Sequence, residues 1–119
     1  MDDLMKELES IGIDVSSALA RFGGMQDLFL KYLFQLPEEP SVPEYRSFLE
    51  QGDNEEAERS IHSFKGVAGN LGIDHLYDIA SKLVTMFRKN ELSELSEINA
   101  ELFAEFDRVV AEIKRLRAQ

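Results

Sequence analysis

The sequence predicts an all-α fold, and three observations indicate it. Apolar residues recur at intervals of three and four over most of the 119 residues, which is the spacing of a helix face. The three prolines all lie between Pro37 and Pro43, so proline interrupts a helix nowhere else. No segment has the alternation of a half-buried strand. We therefore expect an antiparallel up-down four-helix bundle, with short N-terminal helices that cap or extend it.

The N-terminal third predicts three helices, each of which ends at a glycine or a proline. Glycine commonly follows the last residue of a helix, and proline cannot continue one. In the third helix, apolar residues recur from Leu28 to Leu36 at helical spacing. The predicted helices are residues 2–10 before Gly12, 14–22 before Gly23, and 25–36 before Pro37.

The proline stretch, residues 36–43, predicts a connection rather than the interior of a helix. Residues 44–51 then form either a short helical turn or an extension into the next element. Gly52 ends this segment.

The C-terminal half predicts three longer helices. Asp53 and Glu56 have the spacing of a capping box, so a helix is expected over residues 53–71 before Gly72. Asp74 is a candidate cap for the next helix, and Asn90 or Ser93 for the last one. Each later helix has an apolar stripe that predicts a buried face. The stripes are Leu76, Ile79, Ala80, Leu83 and Phe87, followed by Leu95, Ile98, Leu102, Phe106, Val109, Ile113 and Leu116.

Length and composition predict one cytoplasmic domain, residues 1–119. The chain has no cysteine, which excludes disulfides and thiolate metal sites, and no apolar run long enough to span a membrane. Its formal net charge of −10 opposes binding to nucleic acid. Lys114, Arg115 and Arg117 cluster at the end of the last helix, where cations complement the helix dipole.

The helix over residues 53–71 carries the candidate chemistry. Its predicted buried face comprises Ala57, Ile61, Phe64, Ala68 and Leu71, and His62 lies roughly 140° from the centre of that face. Lys65 and Arg59 flank His62 at three residues on either side, where their charges suit a phosphate. On charge alone, solvated cations paired with Glu55 and Glu58 explain the same pattern.

Two glycines on the outward side of this helix favour a functional interpretation. Gly66 and Gly69 follow His62 by four and seven residues, and each costs roughly 0.5 to 1 kcal/mol of helix stability relative to alanine. Missing side chains beside an exposed histidine give a partner protein room to approach the ring. For Gly69, close packing of a neighbouring helix explains the glycine equally well.

The segment from His62 to Gly72, HSFKGVAGNLG, resembles the signature of histidine-containing phosphotransfer (HPt) domains. That signature is His-x-hydrophobic-Lys-Gly-x-Ala-x-x-hydrophobic-Gly. A second segment, from Gly12 to Leu36, is similar to the N-terminal portion of the family. Together the two segments cover most of the chain.

The resemblance implies a four-helix bundle in which His62 is the phosphoacceptor and Lys65 steadies the phosphoryl group. It implies receiver domains of response regulators and a hybrid sensor histidine kinase as partners. The chain is expected to be a monomer without a cofactor or metal, since Mg²⁺ belongs to the receiver. Where the family often has a carboxylate or an amide after a leucine of the next helix, this chain has Val84, which cannot orient the His62 ring by a hydrogen bond.

Competing functions have less support. The sequence contains no phosphate-binding glycine loop, no His-Glu-x-x-His motif and no cysteine nucleophile, which argues against an enzyme. His75 lacks a lysine three residues later and adjacent glycines, so we interpret it as a surface residue. An adaptor bundle that binds signalling partners without being phosphorylated is the alternative, and the presence of His62, Lys65 and Gly66 together argues against it.

Overall fold

Helices form most of the chain in the computed structural model, which describes residues 2–119. Within that range no β-strand occurs, apart from one isolated bridge between Ile13 and Ile73. The predicted all-α class is therefore confirmed. The elements are α1 (Asp2–Ser10), α2 (Val15–Arg21), α3 (Gln26–Leu33), a 3₁₀ turn (Leu36–Glu38), α4 (Ser41–Glu50), α5 (Asn54–Asn70), α6 (Asp74–Lys89) and α7 (Leu95–Arg117).

The proline stretch differs from its prediction. The prediction of a plain connection over residues 36–43 was wrong, because α4 begins at Ser41 and contains Pro43 in its first turn. A proline is tolerated there, since the N–H groups of the first turn have no partner within the helix. The Glu39 carboxylate caps this turn, accepting hydrogen bonds from the Ser41 N–H at 3.0 Å and the Ser41 hydroxyl at 2.7 Å. Helix α3 ends at Leu33, three residues before its predicted end.

Three predicted N-caps were also wrong. Asp74 is the first residue of α6 and Ile73 is its cap, while Glu94 precedes α7 in place of Asn90 or Ser93. Asn90 instead ends α6 in the left-handed conformation, with φ at 54°, which asparagine tolerates better than most residues.

The core is built around α5, α6 and α7. Helix α5 packs against α4 and α6, and α6 packs against α7. Tyr45 of α4 is fully buried, with ring centroids of Phe87 and Phe103 each 6.2 Å away. Its hydroxyl donates a hydrogen bond to Asn99, while burial raises the pKa of Tyr45. One aromatic side chain thus joins three helices. An antiparallel up-down bundle of four helices stays a prediction.

The short N-terminal helices dock against the end of α5. The Asp14 N–H donates a 2.8 Å hydrogen bond to the carbonyl of Gly72. Gly72 has φ at +72°, and a Cβ atom there would lie 2.6 Å from the Asp14 carbonyl oxygen. Only glycine allows this approach, so the residue that ends α5 also fixes the position of α2.

Two of the basic residues at the end of α7, Arg115 and Arg117, form ion pairs with other elements. Arg115 pairs with Glu112 at 2.8 Å and with Glu7 of α1 at 3.5 Å. Arg117 pairs with Glu38 and donates a 2.9 Å hydrogen bond to the Phe34 carbonyl. Among residues 2–119, no helix is long and apolar enough to cross a membrane.

Candidate functional site

Helix α5 has the buried face that its sequence predicts. Asp53 caps the helix by accepting a 3.2 Å hydrogen bond from the Glu56 N–H. Phe64 packs edge-to-face on Phe106 of α7, with ring centroids 5.6 Å apart. These contacts fix the rotation of α5 and leave His62 on the solvent side. The predicted core positions of this helix are all buried, namely Ala57, Ile61, Phe64, Ala68 and Leu71.

His62 is exposed and lines an open concavity with a volume of about 490 Å³. Helix α5 contributes one wall, α2 contributes Arg21, and α6 contributes Asp74 and Tyr77. The concavity is therefore lined by residues of three helices, and it has room for a group attached to the imidazole. The α5 residues in the wall are His62, Lys65, Gly66, Gly69 and Asn70.

Lys65 lies one turn after His62 and is half-buried. Its Nζ atom is 5.8 Å from the ring centroid of Tyr77, within the range of a cation–π contact. The Lys65 ammonium is thus part of the same concavity as the imidazole, as the spacing on the helix predicts.

The second predicted cation, Arg59, has other neighbours. It pairs with Glu56 at 2.7 Å and with Glu55 at 3.9 Å, and it is not among the residues that line the His62 concavity. Arg21 lies there instead, at the C-terminal end of α2. Helical spacing could not reveal Arg21, because it approaches His62 from a different helix.

The two outward glycines have different surroundings. A Cβ atom on Gly66 would have no neighbour within 4 Å, so the surface beside His62 is open at this position. A Cβ atom on Gly69 would lie 3.1 Å from Cδ1 and 3.2 Å from Cε1 of Tyr77. Close packing of α6, which was one of the two interpretations of Gly69, therefore accounts for this glycine. A part for Gly69 in docking stays a prediction.

His75, the other histidine, lies between carboxylates. Its ring nitrogens are 3.3 Å from Glu105 and 3.5 Å from Glu101. A phosphoryl group on this ring would be repelled by both acids. Val84, at the position where the family often has a polar residue, is buried in the core with 1% exposure.

An apolar groove of about 490 Å³ adjoins the His62 concavity, and Asn70 lines both. Phe22 and Tyr32 form part of its wall, with their rings stacked at 5.8 Å between centroids. Tyr32 is 48% exposed although its spacing matches the apolar residues of α3. Other apolar residues that line the groove are Leu36, Pro40, Val67 and Leu71.

Comparison with protein families gives a match that covers residues 2–119. The sequence model described as Hpt domain matches residues 2–119, which is essentially the whole chain. The comparisons with curated proteins and with solved structures give no match.

Proposed function

Since the chain belongs to the Hpt domain family, whose members carry phosphoryl groups on histidine in two-component signalling, we propose that His62 is its phosphoacceptor. The chain accepts a phosphoryl group from the aspartyl phosphate of one receiver domain and passes it to the aspartate of another. In each step the bond from phosphorus to the donor atom breaks as the bond to the acceptor atom forms. The chain acts as a carrier between proteins and supplies no kinase or hydrolase site.

The observation that carries this proposal is the environment of the His62 ring. The imidazole is exposed, a half-buried lysine residue follows one turn later, and the adjacent Gly66 leaves open space. A neutral imidazole nitrogen is a nucleophile at neutral pH without a general base. Lys65 then offsets the charge of the attached phosphoryl group, since cations stabilise phosphate most where water is partly excluded.

Arg21 supports the same role as a second cation at this site. It reaches the concavity from α2, which is a different helix from the one that carries His62 and Lys65. Arg59 retains a weaker, long-range part, because its guanidinium already pairs with Glu56. The phosphate-binding set that we propose is therefore Lys65 and Arg21, with Arg59 at the periphery.

The partners that we propose are receiver domains of response regulators and a hybrid sensor histidine kinase. Gly66 and the adjoining apolar groove offer them a surface beside His62, and Gly69 extends its edge. The receiver supplies the aspartate and the Mg²⁺ ion, so we propose no cofactor for this chain. We further propose a monomeric, cytoplasmic domain that folds as an antiparallel up-down four-helix bundle.

The alternative function is an adaptor that binds receivers without being phosphorylated. Incubation with a ³²P-phosphorylated receiver domain separates the two functions, provided that binding is measured in parallel. A carrier acquires label that is stable in base and labile in acid, as a phosphoramidate on histidine is, while the receiver loses its label. Binding without uptake of label would exclude the carrier and favour the adaptor.

A further inference from the structure

Tyr77 is an exposed aromatic residue that the signature motif does not include. It lies in the first turn of α6 and is 38% exposed. Burial in the core therefore does not explain a large ring here. The ring lies beside Lys65 and Gly69 of α5, and both of these residues line the His62 concavity. This position suggests a role for Tyr77 at the candidate site.

The ring of Tyr77 lies close to both Gly69 and Lys65. A Cβ atom on Gly69 would lie 3.1 Å from its Cδ1 atom and 3.2 Å from its Cε1 atom. The Lys65 Nζ atom is 5.8 Å from the ring centroid. Lys65 and Gly69 are four residues apart on α5, so they are neighbours on one side of the helix. The ring thus spans one turn of the signature helix.

This contact matters because a lysine side chain is otherwise mobile. Its ammonium ends a flexible four-carbon stem, and a free Lys65 would sample many positions in solvent. Asp74 also lines the concavity, and its carboxylate is a competing partner for a free ammonium. Attraction to the face of an aromatic ring holds the ammonium within about 6 Å of that ring, and hence beside His62.

We propose that Tyr77 is a positioning residue for phosphoryl transfer, which holds the Lys65 ammonium at the His62 concavity. Gly69 provides the space in which the ring lies. The inference rests on the proposed function of His62 and adds a residue from a second helix to it. The ring face carries this role, so the hydroxyl group of Tyr77 is dispensable.

The test is a double-mutant cycle between Tyr77 and Lys65, with transfer from a phosphorylated receiver as the rate. Tyr77→Leu should slow transfer about threefold, because a cation–π contact at an exposed site has a modest strength. Tyr77→Phe should retain most of the rate, since it keeps the ring. In a Lys65→Ala background, Tyr77→Leu should have no further effect.

A second measurement does not depend on transfer. In the NMR spectrum, the Lys65 Hε protons should be shifted upfield by the Tyr77 ring current in wild type and in Tyr77→Phe, and the shift should disappear in Tyr77→Leu. An unshifted Lys65 in wild type would overturn the inference. So would a Tyr77→Leu rate equal to wild type, or a loss that persists in the Lys65→Ala background. Failure of wild type to accept label would overturn the proposed function instead, and with it the role of Tyr77 in transfer.

Discussion

Both histidines of the chain are exposed, and the charges around them differ in sign. His62 shares its concavity with two cations, Lys65 and Arg21, and one carboxylate, Asp74, whereas His75 lies within 3.5 Å of Glu101 and Glu105. A transferred phosphoryl group brings about two negative charges, so the first environment stabilises it and the second repels it. Both residues are exposed, so the neighbouring charges are the reason that we propose His62, and not His75, as the phosphoacceptor.

Replacement of Lys65 should slow transfer more than replacement of Arg59. Lys65→Ala removes an ammonium at the phosphoryl site, and we expect a barrier higher by about 1 kcal/mol, or about fivefold in rate. Arg59→Ala is the matched control, since it removes a cation three residues from His62 that pairs with Glu56. Single-turnover transfer from a phosphorylated receiver measures both. Wild-type rates for both variants would show that the partner alone holds the phosphoryl group.

Substitutions of Gly66 by a small and by a large residue separate the effect of a side chain on stability from its effect on docking. Gly66→Ala should raise the free energy of unfolding by roughly 0.5 to 1 kcal/mol, because alanine restricts the unfolded chain and meets no neighbour within 4 Å. Thermal unfolding followed by circular dichroism measures this change.

A larger side chain at Gly66 should block a receiver. Gly66→Gln places its side chain one turn from His62, so transfer from a receiver should slow while a small-molecule phosphodonor still reacts. The comparison of two donors on one folded variant isolates the steric effect. Equal receiver rates for Gly66→Gln and wild type would assign this glycine to something other than docking.

At the scale of elements, the end of α5 and the start of α2 form one joint. Gly72 combines φ at +72° with an approach that would place a Cβ atom 2.6 Å from the Asp14 carbonyl oxygen. Arg21 is carried by α2, so this joint also sets where the second cation of the site lies. The position of Arg21 beside the signature helix therefore depends on how the N-terminal helices pack.

Gly72→Ala should destabilise the protein by about 2 kcal/mol, since it combines left-handed strain with a backbone clash. Urea unfolding measures the change. Gly66→Ala is the matched control on the same segment, and its effect should have the opposite sign. If the two alanine variants have the same stability, the close approach of Asp14 to Gly72 does not constrain the fold.

Periodicity predicted the helices well, and it predicted their ends less well. The buried face of α5 and the outward direction of His62 follow from 3.6 residues per turn, which is a local property. Asp74 failed as a cap because the chain bends one residue earlier, at Ile73. Pro43 lies within α4 because the first turn of a helix accepts proline, and the Glu39 carboxylate replaces an ordinary cap. Such ends depend on contacts that the local pattern does not encode.

At the scale of the whole molecule, a polar network joins α7 to the N-terminal part of the chain. Arg108 of α7 donates a 2.9 Å hydrogen bond to the Ile11 carbonyl and binds Glu105 at 2.8 Å. The pKa of Glu105 lies below its usual value, mainly because Arg108 donates a hydrogen bond to the carboxylate. The interaction with His75 lowers this pKa further. The network links α7 to the segment between α1 and α2.

Glu105 should make stability depend on acid pH. A carboxyl group whose pKa is lowered by folding stabilises the native state above the pKa of the unfolded chain, about 4.3 for glutamate. That stabilisation is lost as the pH falls through the lower, native pKa. Glu105→Gln should therefore be less stable by about 1 kcal/mol at neutral pH, and the difference should shrink below about pH 4.3. Urea unfolding at several pH values measures it. A difference that is constant with pH would assign the effect of Glu105 to packing.

Some residues of the candidate site could be predicted from spacing within one helix, and others could not. His62, Lys65 and Gly66 lie on one helix, so their spacing in the sequence fixed their geometry. Arg21 and Tyr77 reach the site from α2 and α6, and their approach depends on how three helices pack. No spacing within one helix could have indicated them.

The central claim is that His62 carries the phosphoryl group, and the most direct measurement is the site of label on matched histidine variants. His62→Gln and His75→Gln should both remain folded by circular dichroism, since both side chains are exposed. After incubation with a ³²P-phosphorylated receiver domain, His75→Gln should acquire acid-labile label as wild type does, and His62→Gln should acquire none. Acid-labile label that persists on folded His62→Gln would contradict the account.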